Sequence, residues 1–239
     1  MRRAALVLVA LALTGCETTA EKSAKLEKEA LRHVKPASTK GIEIAKASRF
    51  VKVLSATLVT SSEGGAVVVT LRNTSAKAQA RLPLIVTANS PSGAKLYTND
   101  APGQSPSLTS VPLVPAHGET TWVDDQVQGV SGSPRLSTEI GEGKAVAGKP
   151  PAIAITSQRL EKEPGGGTLV VGKLANRSSV EQRELVVFAV ARHAGKIVAA
   201  GRAVLESVPA GSTSSFQIFL IGKAGGASVE VTAPASSAD

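Results

Sequence analysis

From Phe50 onward the apolar residues come in short runs broken by Gly, Ser, Asn and Pro, and within the runs they alternate with polar ones. Val67, Val69 and Leu71 fall at period two, the spacing that sets side chains on one face of a strand. The pattern predicts strands over Phe50–Thr60, Ala66–Arg72, Leu82–Ala88, Ala94–Tyr97, Leu108–Val114, Thr120–Val127 and Arg135–Ile140, with turns at 61–65 and 90–93. A Pro-rich loop is expected over 98–107. Gly141 to Pro151 is rich in Gly and Pro and shows no alternation, which reads as a domain linker.

The second half repeats the first. Val170, Gly172, Leu174 and Asn176 fall 103 residues after Val67, Val69, Leu71 and Asn73, and the same offset sets Leu185 on Leu82 and Ala191 on Ala88. Pro209-Ala210-Gly211 echoes Pro115-Ala116-His117-Gly118, and Phe216 then falls on Trp122 at an offset of 94. The difference of nine matches the Pro-rich loop, which only the first copy carries. Two copies of one all-β module are expected, over residues 50–145 and 152–233, joined by a linker at 146–151 and followed by a disordered tail at 234–239. Short strands with turn signals every 8–12 residues suggest immunoglobulin-like β-sandwiches.

The N-terminus follows different rules. Arg2 and Arg3 precede an unbroken apolar run from Ala4 to Leu13, closed by Leu13-Thr14-Gly15-Cys16. A charged start, a short apolar core and small residues before a cut describe a secretory signal peptide. The apolar run makes a helix of only ~16 Å, about half of a ~30 Å hydrocarbon core. Leu13-Thr14-Gly15-Cys16 resembles the lipobox of bacterial lipoprotein precursors, and Cys16 is the only cysteine. That resemblance implies cleavage between Gly15 and Cys16, removal of residues 1–15, and acylation of Cys16. It also implies a location on the extracytoplasmic side of the cell membrane or outer membrane. Two or three acyl chains give stable attachment where one gives little.

A second resemblance rests on Val170-Val171-Gly172-Lys173-Leu174-Ala175-Asn176-Arg177-Ser178, Val186 to Arg192, Gly195-Lys196-Ile197-Val198, Pro209-Ala210-Gly211 and Phe216. Together these look like the FxLYD-type module of bacterial envelope lipoproteins, over about residues 168–221. Arg192-His193-Ala194 stands where that module carries an aromatic–aspartate pair. The resemblance implies an immunoglobulin-type fold and transfers no catalytic residue.

Residues 16–49 read as a lipidated tether, partly helical. Ala20 to Val34 is rich in Ala, Lys, Glu and Leu, and Leu26, Ala30 and Val34 form a thin apolar seam before Pro36. A helix of that length is marginal alone in water. Two readings stay open: a charged spacer, with a coil reach of roughly 30 Å, or a helix docked on the protein or on a partner.

Charge changes this picture little. The net charge is +8, and +6 once Arg2 and Arg3 are removed. Residues 50–148 carry seven charges of each sign, and 149–239 carry ten basic against seven acidic. A mild basic excess suits an anionic membrane or wall surface. With six aromatic residues in the chain there is no stacking platform for nucleic acid. One cysteine excludes a disulfide framework, so stability must come from packing.

Candidate chemistry is sparse. His33, His117 and His193 lack partners at metal-ligand spacing, so neither a metal nor any other cofactor is expected. Ser92-Gly93-Ala94-Lys95 has Ser-x-x-Lys spacing without its companion motifs. Asp124 and Asp125 are adjacent on a strand and point to opposite faces, so they form no carboxylate dyad. With Asn99, Asp100 and Glu119 they offer oxygens for calcium, though no spacing demands it. Asn73 and Asn176 read as turn residues bonding their own backbone. Trp122 is read as a core anchor, or as the rim of a binding surface built with the 98–107 loop from Tyr97, Asn99, Asp100 and Gln104.

The expected function is therefore non-catalytic: a lipid-anchored envelope protein serving as an interaction or scaffolding module with an envelope protein partner. The alternative is an envelope lipoprotein that binds a solute or an anionic polymer. Oligomeric state is not legible.

Overall fold

The computed structural model describes residues 18–30, 40–163 and 166–236. The fold is all-β with antiparallel pairing throughout, apart from two short helices. In the first half, β1 (Val51–Ser61), β2 (Gly64–Asn73) and β6 (Glu119–Val127) form one sheet in the order β1-β2-β6. The facing sheet is built on β3 (Gln79–Asn89), which pairs with β4 (Lys95–Thr98), β5 (Ser110–Val114), β7 (Arg135–Ile140) and β8 (Lys144–Ala145). In the second half, β9 (Ile153–Lys162), β10 (Thr168–Asn176), β11 (Gln182–His193), β12 (Lys196–Val208), β13 (Thr213–Gly222) and β14 (Ser228–Thr232) are ordered β14-β11-β12-β13-β10-β9.

The repeat read from the sequence extends to strand register. Val69 lies opposite Trp122, and Gly172 lies opposite Phe216. Gln79 faces Val114 as Gln182 faces Val208, and Asn89 faces Arg135 as Arg192 faces Ser228. Arg81 and Glu184, each the third residue of its strand, both take a left-handed conformation, with φ of 56° and 49°. The two turn asparagines are also equivalent. Asn73 Nδ2 donates to the carbonyls of Lys77, Val114 and Pro115, and Asn176 Nδ2 donates to those of Val180, Val208 and Pro209. Both side-chain oxygens accept from the serine two residues on.

The long strand β12 corresponds to two strands of the first half. Leu82 and Pro83 pair with Val111 and Ser110 where Leu185 and Val186 pair with Leu205 and Val204. Between β4 and β5 the first half inserts the predicted loop, whose end forms the single turn α2 (Pro106–Thr109). Buried Asn99 pins this insertion: its Oδ1 accepts from Val86 N at 2.7 Å, and its Nδ2 donates to the carbonyls of Leu84 and Leu108.

One apolar core spans both halves, and the second half carries a further core of its own. β2 is buried on both faces, and so is most of β11. Leu185, Val187, Ala189 and Ala191 fill the second half's interior, while Val186, Phe188 and Val190 join Val68, Val123 and Val127 in a cluster continuous with the first half. An apolar interface of this kind fixes two modules as one body, unlike a polar domain contact.

Two expectations are corrected, and one that the sequence left open is decided. The Gly-rich stretch read as linker from Gly141 belongs in its first part to the first half. Gly141 bridges to Ala47, β8 pairs with β3, and Val146 is buried with Ala78, Ala80 and Leu113. Its glycines serve close approach, not freedom: a Cβ on Gly141 would lie 2.5 Å from Pro83 Cγ, and one on Gly143 2.6 Å from the Ala80 carbonyl oxygen. The C-terminal stretch expected to be disordered from 234 is packed as far as 236, with Ala235 buried and Ser236 N donating to Gln182 Oε1. The tether does not stand off as a spacer over its described residues. Residues 46–48 bond to the first half, and the helix α1 (Thr19–Ala30) is docked.

Candidate functional site

The docked helix leads to a buried polar cluster in which elements from both halves meet. A capping box starts α1: Thr18 Oγ1 accepts from Glu21 N at 3.2 Å, and Glu21 Oε2 accepts from Thr18 N at 2.8 Å. Ala20, Ser23 and Glu27 then recur at the spacing of one helix face, and with Thr19 they are the buried residues of α1. The expected apolar seam is not the docked face. Leu26 is 44 % exposed, Ala30 is half-buried, and Val34 lies outside the described residues. The helix lies against β12, β13 and β6, so it closes a seam between the halves.

Beneath it stands Arg202 of β12, on the strand face that also carries Ala200 and Val204 toward the first half. Its guanidinium pairs with Glu27 through Nη2 and donates from Nη1 to Ser107 Oγ at 2.8 Å. Nε lies 3.2 Å from Asp125 Oδ1, an ion-pair contact too oblique for a hydrogen bond. Asp125 Oδ2 accepts from Arg202 N at 3.0 Å and from Ser23 Oγ at 2.7 Å. Glu27 also accepts from Ser107 Oγ at 2.6 Å and from Gln126 Nε2 at 2.5 Å. Four segments distant in sequence converge here: α1, the first-half insertion, β6 and β12.

The electrostatics follow from burial. Burial raises the Glu27 carboxyl, but Arg202 and the serine hydroxyls more than offset it, leaving Glu27 below its ordinary value. Burial dominates at Asp125 and holds it above the usual range despite Arg202. Arg202 is held firmly charged: burial opposes its charge, and the facing carboxylates outweigh that. On the other face of β6, Asp124 accepts from Tyr97 Oη and from Gln126 N, and burial pushes it up to about 6. Tyr97 is driven upward by burial and by the Asp124 charge, so it remains a donor.

The residues singled out from the sequence distribute as follows. Trp122 is fully buried in the first-half core, and its indole N–H has no acceptor among the described residues. Asn99 is fully buried, as described above. Tyr97 is half-buried against the same core, with its hydroxyl on Asp124. Of the loop set, Asp100 is exposed, accepting from Ile42 N at 2.6 Å, and Gln104 is half-buried with its N–H on the Ala101 carbonyl. Gly15, Cys16 and His33 lie outside the described residues. Asp124 and Asp125 do point to opposite faces, one toward Tyr97 and one toward Arg202. Among the described residues no three His, Cys, Asp or Glu side chains gather as a cation site.

Sequence reasoning missed Arg202, Ser107, Ser23 and Glu27. The one signal on offer was Arg202 itself, a lone charge between the apolar runs of β12.

Beside α1 an open groove of about 600 Å³ runs between β12 and β13, which pair only at Ala199–Ala200 with Gly222–Ile221 before parting. Leu26, Val171 and Phe219 line it, with Lys173 and Arg159 at its margin. No helix among the described residues is long and apolar enough to cross a membrane. The chain matches no protein-family model and no curated protein.

Proposed function

We propose that this chain is a lipid-anchored envelope protein whose two immunoglobulin-like sandwiches act as a single rigid, non-catalytic interaction body. The observation that carries the reading is Leu13-Thr14-Gly15-Cys16, with its lone cysteine, after a charged and apolar leader. The buried cluster fits such a role, since Glu27, Arg202 and Asp125 spend their charges on one another and on fixed serines, leaving no group aimed at a substrate. The insertion around Asp100 and Gln104 is the natural contact surface, a loop on a rigid scaffold held from below by Asn99.

A photoreactive residue at Gln104, in cells carrying the native chain or Cys16→Ser, tests this. The proposal expects one protein adduct that disappears with the anchor. Absence of any adduct, or an adduct indifferent to Cys16, contradicts it.

The groove margin favours a second reading, binding of an anionic polymer, because Arg159 and Lys173 are exposed there. Retention on anionic wall polymer that is released by moderate salt supports it, and salt-independent retention opposes it.

A further inference from the structure

We infer that the protein sits on its membrane by one defined end, the end bearing the β1–β2, β9–β10, β11–β12 and β13–β14 turns, and that α1 holds it there. The inference rests on the reading of Cys16 as the lipid-bearing residue. Two Cα–Cα steps separate Cys16 from Thr18, a reach of at most ~8 Å. Thr18 begins the capped first turn of α1, and that turn is fastened to the body. Ala20 N donates to the Glu63 carbonyl at 3.3 Å, and a Cβ on Gly64 would lie 2.9 Å from Ala20 Cβ. Lys22 pairs with Glu163. The lipid therefore emerges beside the β1–β2 and β9–β10 turns.

Those two turns and the β13–β14 turn line a shared cleft of about 350 Å³. His193 Nδ1 lies 3.3 Å from the Gly226 carbonyl, which brings the β11–β12 turn to the same end. Near these turns stand Lys22, Lys162, Lys196 and Lys223 against Glu21, Glu63 and Glu163, four cations to three anions. That excess complements an anionic lipid surface, where each cation near the headgroups contributes about 1 kcal/mol.

A free coil over the tether would have let the body float roughly 30 Å away in any orientation. With α1 docked, the body lies against the lipid in one orientation. The opposite end, with the turns capped by Asn73 and Asn176, faces outward.

The test couples the chain from Cys16 onward, through its only thiol, to maleimide-bearing vesicles of phosphatidylcholine with about a fifth phosphatidylglycerol. Lysine acetylation is then followed by mass spectrometry against the uncoupled protein. Lys162, Lys196 and Lys223 are expected to react several-fold more slowly on the vesicle, and Lys77 and Lys149 at unchanged rates. Equal rates at both ends, or slowing at Lys77, overturn the inference. Glu27→Lys, which sets a cation against Arg202, is expected to erase the protection while Trp122 emission stays that of a buried indole. Protection that survives this change overturns the part assigned to α1. Because the coupling is chemical, these outcomes do not depend on acylation in the cell; an unmodified Cys16 mass in cells overturns the anchor reading alone.

Discussion

Glu27 and Arg202 stand 175 positions apart in the chain and form an ion pair closed to solvent, one from the tether helix and one from the middle of β12. A buried pair of this kind roughly breaks even against desolvation, but removing one partner is costly. The cost depends on what each removal leaves behind. Removing Arg202 strips the cation from Asp125, which is fully buried on β6 and cannot leave the body. Removing Glu27 leaves Arg202 still paired with Asp125, and α1 can lift away to let water reach the guanidinium. Arg202→Ala should therefore destabilise the whole body by about 3–5 kcal/mol in urea melts. Glu27→Ala should leave the main melt nearly unchanged and open residues 18–30 to protease. Equal global losses for the two variants would contradict this asymmetry.

Acid should release the same helix. The folded pKa of Glu27 lies below its ordinary value of 4.5, so its contribution is full above that value and is lost as pH falls through the lower, folded one. Proteolysis within residues 18–30 is expected to switch on below pH 4.5, ahead of global unfolding. Glu27→Gln should show the released pattern at neutral pH.

Asp124 responds with the opposite sign. Its folded value of about 6 exceeds the ordinary 3.8, so the folded state holds the proton more tightly between those values. This contribution is full below the unfolded pKa and is lost as pH rises through 6. Relative to Asp124→Asn, which keeps the shape but does not titrate, the native chain should gain about 2 kcal/mol between pH 7 and pH 4.5. Parallel urea melts at the two pH values measure the difference. A gap that does not move with pH contradicts the burial assigned to Asp124.

The repeat predicts which exchanges between the copies are tolerated. Trp122→Phe installs the residue of the second copy and removes an indole N–H that has no acceptor among the described residues. The lost volume is thus partly offset, and the cost should stay under about 2 kcal/mol, less than a full truncation. Gly172→Val installs the residue of the first copy and should be severe. A Cβ there already lies 2.3 Å from the Ser157 carbonyl oxygen and 2.5 Å from Phe216 Cζ, so a loss of about 3 kcal/mol or more is expected. Thermal melts of both variants decide the point.

The strands, the repeat and the turn asparagines were legible because each leaves a local mark: alternation, a fixed offset, or an Asn beside a Ser. The Pro-rich insertion was legible as a gap in the offset. The helix was legible too, but its docked face was not. Apolar spacing pointed to Leu26 and Ala30, whereas Ser23 and Glu27 are buried because ionic and hydroxyl partners await them. Those partners come from residues 107, 125 and 202, and no window of sequence contains such a juxtaposition. Gly141 and Gly143 misled for a related reason. Glycine marks a flexible linker and a close backbone contact alike, and only Pro83 and Ala80 across the gap tell them apart.

The docking of α1 is the claim on which both the membrane orientation and the buried cluster depend. Hydrogen exchange of the peptide spanning residues 18–30, measured at neutral pH in the native chain and in Glu27→Lys, tests it most directly. A free helix of that length exchanges almost at the unfolded rate. The account predicts amides protected by orders of magnitude in the native chain and unprotected in the variant. Native amides that exchange at the free-peptide rate would contradict it.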